Sequence, residues 1–190
     1  MRLSALIVLA LCGCAPVPPE IPPPEITPAE AARIAAPDPA LAVRIAQLMP
    51  RLRAEERARD ARALSEGRGL SPREQDIARR VGVRHPEKVR LLALAQIAPM
   101  TDPELARLFR VERAWGLTTG YGITVTQAPV PDWLLAHELV HVAQYERLGA
   151  EPMLRRTLTE SLVLPGNLIP IEREAIARGD AVAKSPAYGY

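Results

Sequence analysis

The stretch His137-Glu-Leu-Val-His141 determines how the rest of the chain is interpreted, and it lies inside the mostly apolar segment 131–148. Two histidines four residues apart on a helix lie one above the other, about 6 Å apart, so both imidazoles can reach one cation. Glu138 follows the first histidine and can take a proton from a water at the open position of that cation. Leu135, Leu139 and Val142 form the flank that anchors this helix in the core. The pattern predicts a metal-binding helix with an adjacent general base.

A hydrolytic zinc site uses three protein ligands and leaves one position open for water. Neither histidine nor cysteine follows His141 in the chain. The third ligand is therefore expected to be a carboxylate, and four downstream residues are candidates: Glu160, Glu172, Glu174 and Asp180.

The position of each carboxylate on its helix separates these candidates. Glu172 has an isoleucine three residues before it and Ala175 three residues after it, which places it on the apolar, inward stripe of its helix. Glu174 has Arg178 four residues on, an arrangement typical of an exposed ion pair. We therefore rank Glu172 first as the metal ligand. Glu160 stays the alternative, because apolar residues lie on one side of it although an arginine lies on the other.

The His-Glu-x-x-His stretch, followed by a helix that begins Pro170-Ile-Glu-Arg-Glu-Ala175, resembles the gluzincin branch of the zinc metallopeptidases in a compact form. In that branch a glutamate on a second, downstream helix completes the metal site. The resemblance covers roughly residues 71–183. It implies that His137, His141 and Glu172 bind one zinc ion and that Glu138 is the catalytic base.

Two further points follow from the resemblance. Residues 123–126 look like the edge strand against which such enzymes lay a substrate backbone. Many gluzincins also carry an aspartate four residues after the ligand glutamate, which orients a histidine in the second shell. Ile176 occupies that position here, so the sequence does not identify the second-shell partner. Three tyrosines are candidates for the group that stabilises the oxyanion: Tyr121, Tyr145 and Tyr188.

Composition favours a helical fold without a polyanionic partner. The 24 Lys+Arg and 22 Asp+Glu residues give a net charge of +2, so no nucleic-acid partner is expected. The few aromatic residues (1 Phe, 2 Trp and 4 Tyr) and the abundance of Ala, Leu and Arg favour helices over a large sheet. We predict an α+β, mostly helical fold: a zincin-like metallopeptidase domain with a small β-sheet next to the active-site helix.

The N-terminal region has the features of an exported bacterial lipoprotein. A positive start and a short apolar run predict a signal peptide over residues 1–13. Leu11-Cys-Gly-Cys14 resembles the bacterial lipobox, which implies lipidation of Cys14. The alternative is an ordinary secretory signal with a spare cysteine. Residues 14–28, the lipidated cysteine and a proline-rich tether, would hold the domain off the bilayer.

The remaining chain is divided by its periodicity and by turn residues. Residues 29–66 are predicted to be helical, residues 71–183 to form the catalytic domain and residues 184–190 to be a flexible tail. Within the domain the expected elements are a capped helix over 71–83, a strand or buried helical turn over 88–97, a helix over 102–114, the clearest strand over 120–126, and helices over 151–164 and 170–183. His85 is expected to lie outside the metal site. Residues 71–83 superficially resemble half of a helix-turn-helix, but no recognition helix follows.

Together these features predict a membrane-anchored zinc metallopeptidase, an endopeptidase that hydrolyses peptides or proteins of the cell envelope. We expect it on the periplasmic face of the outer membrane if the cell is Gram-negative. The main alternative is a zinc-binding envelope lipoprotein without turnover, acting as a scaffold or inhibitor. Two other interpretations are hydrolysis of an amide in cell-wall material and a helical lipoprotein whose histidines only fill the core.

Overall fold

The computed structural model describes residues 27–164 and 169–183, and within these residues the fold is α+β and mostly helical, as predicted. The expected signal peptide 1–13, the lipidation site Cys14, nearly all of the tether and the tail 184–190 lie outside the described residues. In the described part of the chain, no helix is both long enough and apolar enough to cross a membrane.

The described residues form seven α-helices and one sheet of four short strands. The helices are α1 (Pro28–Ala35), α2 (Pro39–Glu66), α3 (Pro72–Arg80), α4 (Pro103–Phe109), α5 (Asp132–Leu148), α6 (Ala150–Val163) and α7 (Pro170–Val182). The strands are β1 (Arg68–Gly69), β2 (Arg90–Ala93), β3 (Gly116–Thr119) and β4 (Gly122–Val125). Two 3-10 turns connect them, Pro86–Lys88 and Val111–Arg113.

Proline begins five of the helices (α1, α2, α3, α4 and α7), at a position where the backbone N–H has no helical partner. Before the first four of these, a polar side chain accepts a hydrogen bond from the first turn: Thr27, Asp38, Ser71 and Asp102. The predicted cap at the start of α3 forms, because Ser71 and Glu74 each accept from the other's backbone N–H.

The segment predicted as helical over residues 29–66 is two helices, with a break between Ala35 and Pro39. Prolines at positions 37 and 39 disfavour helical backbone at the residues before them. The Asp38 side chain accepts a hydrogen bond of 2.9 Å from the backbone N–H of Leu41, which starts the new helix.

The sheet has the order β1-β2-β4-β3, in which β2 and β4 are parallel and β3 and β4 form an antiparallel hairpin. The prediction that residues 123–126 form an edge strand is wrong, since β4 is paired on both sides. The strand at that end of the sheet is β3, which the sequence prediction missed. Gly120, predicted as the start of the strand, instead turns the hairpin with a φ of 77°.

Helix α5 runs through the centre of the domain. Every residue from Leu134 to Gln144 is buried, so this helix is surrounded on all sides. Its predicted anchoring residues Leu135, Leu139 and Val142 pack with α3, β2 and β4 in one hydrophobic cluster. A second cluster joins α2, α4 and α6. The metal-binding pattern therefore lies on the most enclosed element of the fold.

Helix α7 packs against α5, and Gly179 lies at their contact. A Cβ at this position would lie 3.2 Å from both the backbone N and the Cα of His137. These atoms belong to the buried backbone of α5 and cannot move aside as a flexible side chain could. The glycine therefore sets how closely α7 approaches the two histidines.

Candidate metal centre

The side chains of His137, His141 and Glu172 converge on one point. The two histidine Nε2 atoms are 3.2 Å apart. His137 Nε2 lies 3.3 Å from one Glu172 carboxylate oxygen, and His141 Nε2 lies 3.5 Å from the other. A tetrahedral ion with bonds of about 2.0–2.1 Å separates its ligand atoms by about 3.3 Å. The spacing of the three groups fits such an ion, and together they could hold a metal.

Two helices position these ligands. Helix α5 stacks the two imidazoles one turn apart, with their rings nearly perpendicular and their centroids 4.9 Å apart. Helix α7 begins at Pro170, so Glu172 lies in its first turn, where the helix dipole favours a carboxylate. The histidines are each 8% exposed, so the ligands meet at the buried contact between the two helices.

The electrostatics of the group suit a buried cation. Burial alone would lower the pKa of His141, but the charge and hydrogen bond of Glu172, together with Glu138 and Gln144, outweigh it and raise this pKa to about 9. Burial would raise the pKa of Glu172, yet the two histidines hold it well below its usual range. Glu172 is therefore ionised at any ordinary pH. The Glu172 side chain is 30% exposed, and a partly buried carboxylate is stabilised by a cation beside it, which either an imidazolium or a metal ion supplies.

Gln144 is the second-shell residue that the sequence prediction missed. Its side-chain oxygen lies 2.8 Å from His141 Nδ1, and its side-chain nitrogen donates to the backbone carbonyl of Ile171 at 3.0 Å. Since the oxygen can only accept, Nδ1 carries a proton, and Nε2 is the nitrogen that faces Glu172 and could bind a metal. One sequence signal was available: Gln144 is a polar residue within the apolar part of the metal-binding helix.

Glu160, the alternative ligand, is not part of the converging group. It is 1% exposed and accepts hydrogen bonds from the backbone N–H of Ile171 at 2.9 Å and from Arg156 Nε at 2.6 Å. Glu160 therefore satisfies a backbone donor in the first turn of α7. It supports the helix that carries Glu172.

The predicted ion pair of Glu174 with Arg178 forms, but the prediction that Glu174 is exposed is wrong. The pair with Arg178 is present at 3.0 Å, but Glu174 is 9% exposed and also forms two hydrogen bonds of 2.8 Å with Arg147. The helical spacing identified Arg178 as a partner, but it could not show that Glu174 also faces Arg147 on α5.

Glu138 lies beside this group on α5 and is 4% exposed. The Thr118 hydroxyl lies 2.7 Å from one of its carboxylate oxygens and can donate to it. The other oxygen points towards Gly116, where an added Cβ would lie 2.6 Å from Glu138 Cδ and overlap the carboxylate. Strand β3 therefore supplies both a hydrogen-bond donor and the space that the Glu138 side chain needs.

A cleft of about 750 Å³ leads to these residues and is lined by all four: His137, Glu138, His141 and Glu172. Most of its other walls are apolar, including Leu52, Met100 and Leu154. The group is therefore accessible to a ligand of moderate size, although its members are largely buried.

Two of the three tyrosines considered as oxyanion donors have other hydrogen-bond partners. Tyr145 lines the cleft, but its hydroxyl donates to Glu56 on α2 at 2.9 Å. Tyr121 donates to Glu146 at 3.0 Å, and Tyr188 lies outside the described residues. His85 is not in the converging group. The structure therefore leaves the second oxyanion donor unassigned.

Comparison of the chain with protein-family models, with curated proteins and with solved structures found no match.

The pH dependence of stability tests whether Glu56 is buried in the cleft wall as the structure has it. Burial raises the pKa of Glu56 from 4.5 to about 7, although Tyr145 donates a hydrogen bond to it. Between pH 4.5 and 7 the folded state holds more protons than the unfolded state, so this residue lowers stability as the pH rises. We expect Glu56→Gln to be more stable than wild type at pH 8, by at most about 3 kcal/mol, and equally stable near pH 4.

Thermal unfolding of both proteins at the two pH values measures this difference. Glu55→Gln is the matched control, because hydrogen bonds from Thr101 and Asp102 outweigh burial and lower the pKa of Glu55. It should lose stability at pH 8. A Glu56→Gln variant that is less stable than wild type at pH 8 would contradict the assignment.

Gln144 gives a test of the metal centre. We expect Gln144→Leu to weaken zinc binding by about 10- to 100-fold, because His141 loses the partner that fixes its proton on Nδ1. Gln144→Glu keeps an acceptor for His141 and should bind zinc more tightly than the leucine variant. Competition with a chromophoric chelator measures both affinities. Equal zinc affinity in wild type and Gln144→Leu would show that Gln144 does not support the centre.

Proposed function

We propose that the chain is a compact zinc metallopeptidase of the gluzincin type, which hydrolyses peptide bonds with His137, His141 and Glu172 as metal ligands and Glu138 as general base. The observation that carries the proposal is the convergence of the three ligand groups at 3.2–3.5 Å beside the Glu138 carboxylate. A site that only filled the core would have no use for a carboxylate held in a cleft by its own hydrogen-bond donor.

The donor set supports zinc. Two imidazoles and one carboxylate are the protein ligands of several hydrolytic zinc sites, which keep a fourth position for water. A zinc ion bound here would supply Lewis-acid activation of that water and of a substrate carbonyl.

The protein residues would move the protons. Glu138 takes the proton of the attacking water and later delivers it to the departing amine. Thr118, by donating to one Glu138 oxygen, leaves the other oxygen for this transfer. Gly116 keeps the space around that second oxygen open. The position of β3 beside α5 thus determines the orientation of the base.

The cleft supports a peptide as substrate. Strand β3 pairs with β4 on one side, and its other side has no strand partner in the described part of the chain. Gly116, Leu117 and Thr118 of this strand line the cleft. An extended peptide could pair with such an edge through main-chain hydrogen bonds and lie beside Glu138.

Glu138→Gln tests the chemistry directly. We expect this variant to bind zinc as wild type does and to lose hydrolysis by about 10²- to 10⁴-fold, because the amide cannot accept the proton of water. Zinc content by elemental analysis and turnover of casein or a peptide library measure the two properties. A chelator should abolish wild-type turnover, and His137→Ala should lose both zinc and activity.

The outcomes separate the proposed function from its alternative. Hydrolysis by Glu138→Gln at the wild-type rate would remove Glu138 as the base. Stoichiometric zinc without turnover of any peptide would favour the zinc-binding scaffold or inhibitor. Protein that never retains zinc would contradict both the peptidase and the zinc-binding scaffold or inhibitor.

We also propose that the domain is anchored to the cell envelope by a lipid on Cys14. The support is the sequence Leu11-Cys-Gly-Cys14 behind a short apolar run, with a proline-rich tether after it. Metabolic labelling with radioactive palmitate should label the wild-type chain. Cys14→Ser should lose the label while Cys12→Ser keeps it. Equal labelling of both variants and wild type would contradict the assignment.

A further inference from the structure

Residues 108–118 form one wall of the cleft, and the C-terminal end of this segment lies next to the candidate metal centre. Nearly all residues from 108 to 118 line the cleft. At the inner end, Thr118 donates to Glu138 and Gly116 lies against its carboxylate. A chain spans at most about 3.6 Å per residue, so the Cα of Arg113 lies within about 11 Å of that of Gly116. Side chains on the outer part of this wall are therefore within reach of a bound peptide.

Two arginines on this outer part have no counter-ion. Arg110 and Arg113 line the cleft and are exposed, and neither guanidinium forms an ion pair or hydrogen bond with the described residues. The backbone N–H of Arg113 donates to the carbonyl of Arg110 at 3.0 Å, which closes a 3-10 turn and holds the two residues one turn apart. A guanidinium without a counter-ion is free to bind an anion that enters the cleft.

None of the acidic residues of the same cleft forms an ion pair with these arginines in the described part of the chain. Glu56 accepts from Tyr145, Glu138 accepts from Thr118, and Glu172 contacts the two histidines. Arg110 and Arg113 therefore stay unpaired within the described residues, on an otherwise largely apolar surface.

The backbone conformation of Arg110 is a second observation on this part of the cleft wall. Its φ of 48° and ψ of 40° lie in the left-handed region, and it is the one residue other than glycine with positive φ in the described part of the chain. A residue in this position, just after helix α4, is most often glycine, which has no Cβ to clash. A bulky cation held there at a cleft points to a functional use of the side chain.

We infer that Arg110 and Arg113 bind a carboxylate of the substrate while the apolar floor of the cleft contacts its neighbouring side chains. This inference rests on the proposed function, since it assigns the substrate class of the same cleft: apolar peptides that carry a carboxylate within a few residues of the cleaved bond. The carboxylate is either the peptide's C-terminus or an acidic side chain, and arginine forks bind both in the same way.

Peptides that differ in one group distinguish a C-terminal carboxylate from an acidic side chain. Three fluorescent peptides share an apolar sequence: one ends in a free carboxylate, one in an amide, and one in an amide with a glutamate near its end. Their Kd values are measured by anisotropy on the zinc-loaded Glu138→Gln variant, and kcat/KM on wild type. We expect at least one carboxylate peptide to bind about tenfold more tightly than the neutral amide, with a smaller advantage at high salt.

Substitution of Arg110 and Arg113 tests whether these two residues cause the preference for a carboxylate. The double variant Arg110→Gln and Arg113→Gln, in the same Glu138→Gln background, should bind all three peptides with nearly equal Kd. Arg107→Gln is the matched control, because Arg107 is an exposed arginine of α4 that does not line the cleft. It removes one exposed positive charge outside the cleft lining and should leave the preference intact.

Arg110→Gly separates recognition from folding. Glycine adopts the left-handed conformation more readily, so this variant keeps the turn while losing the guanidinium. We expect its Tm to equal or exceed that of wild type, by up to about 4 °C, while most of the carboxylate preference is lost. A Tm that falls together with an unchanged preference would assign Arg110 a structural role and overturn the inference.

The outcomes also separate this inference from the proposed function. Peptide cleavage without any carboxylate preference, or a preference that survives the double arginine substitution, overturns the carboxylate site and leaves the peptidase standing. A preference that depends on the arginines in a protein without turnover supports the carboxylate site and contradicts the peptidase. Failure of all three peptides to bind contradicts both.

Discussion

The site depends on a carboxylate of one helix lying against two buried imidazoles of another. Glu172 on α7 meets His137 and His141 on α5 at 3.3 and 3.5 Å, and both histidines are buried. A charged group in such surroundings is strongly destabilising without its partner, so the two helices must keep one relative position. Gly179 allows this position, because it brings the α7 backbone against that of His137.

A single residue fixes the start of α7. The backbone N–H of Ile171 donates to Glu160, and its carbonyl accepts from Gln144. Gln144 in turn bonds to His141, so one continuous chain of hydrogen bonds joins the second metal-ligand candidate to the residue next to Glu172. Both backbone polar groups of Ile171 are satisfied by buried side chains, which restricts how the first turn of α7 can move. Glu160 and Gln144 thus act on the site without belonging to it.

Sequence patterns correctly predicted the features that depend on the periodicity of a single helix. The histidine spacing, the buried flank of α5 and the inward position of Glu172 all follow from helical periodicity. Periodicity says which side chains share a face, but not which neighbour that face meets. It therefore missed that Glu174 also faces Arg147 and that Gln144 holds His141. Strand β3 is as short as β4, but only two of its residues are β-branched against three in β4, so its strand signal is weaker and it was missed.

The cleft lies where separate parts of the core meet. One side of α5 belongs to the hydrophobic cluster shared with α3 and the sheet, whereas Leu52, Met100 and Leu154 across the cleft belong to the cluster of α2, α4 and α6. Binding sites form readily at such junctions, since neither cluster fills the space between them. Strand β3 joins the two sides: Thr118 holds Glu138, and Leu117 packs on the second cluster. A shift between the clusters would therefore move Glu138 relative to His137, His141 and Glu172, so the packing of β3 determines the geometry of the site as much as α5 does.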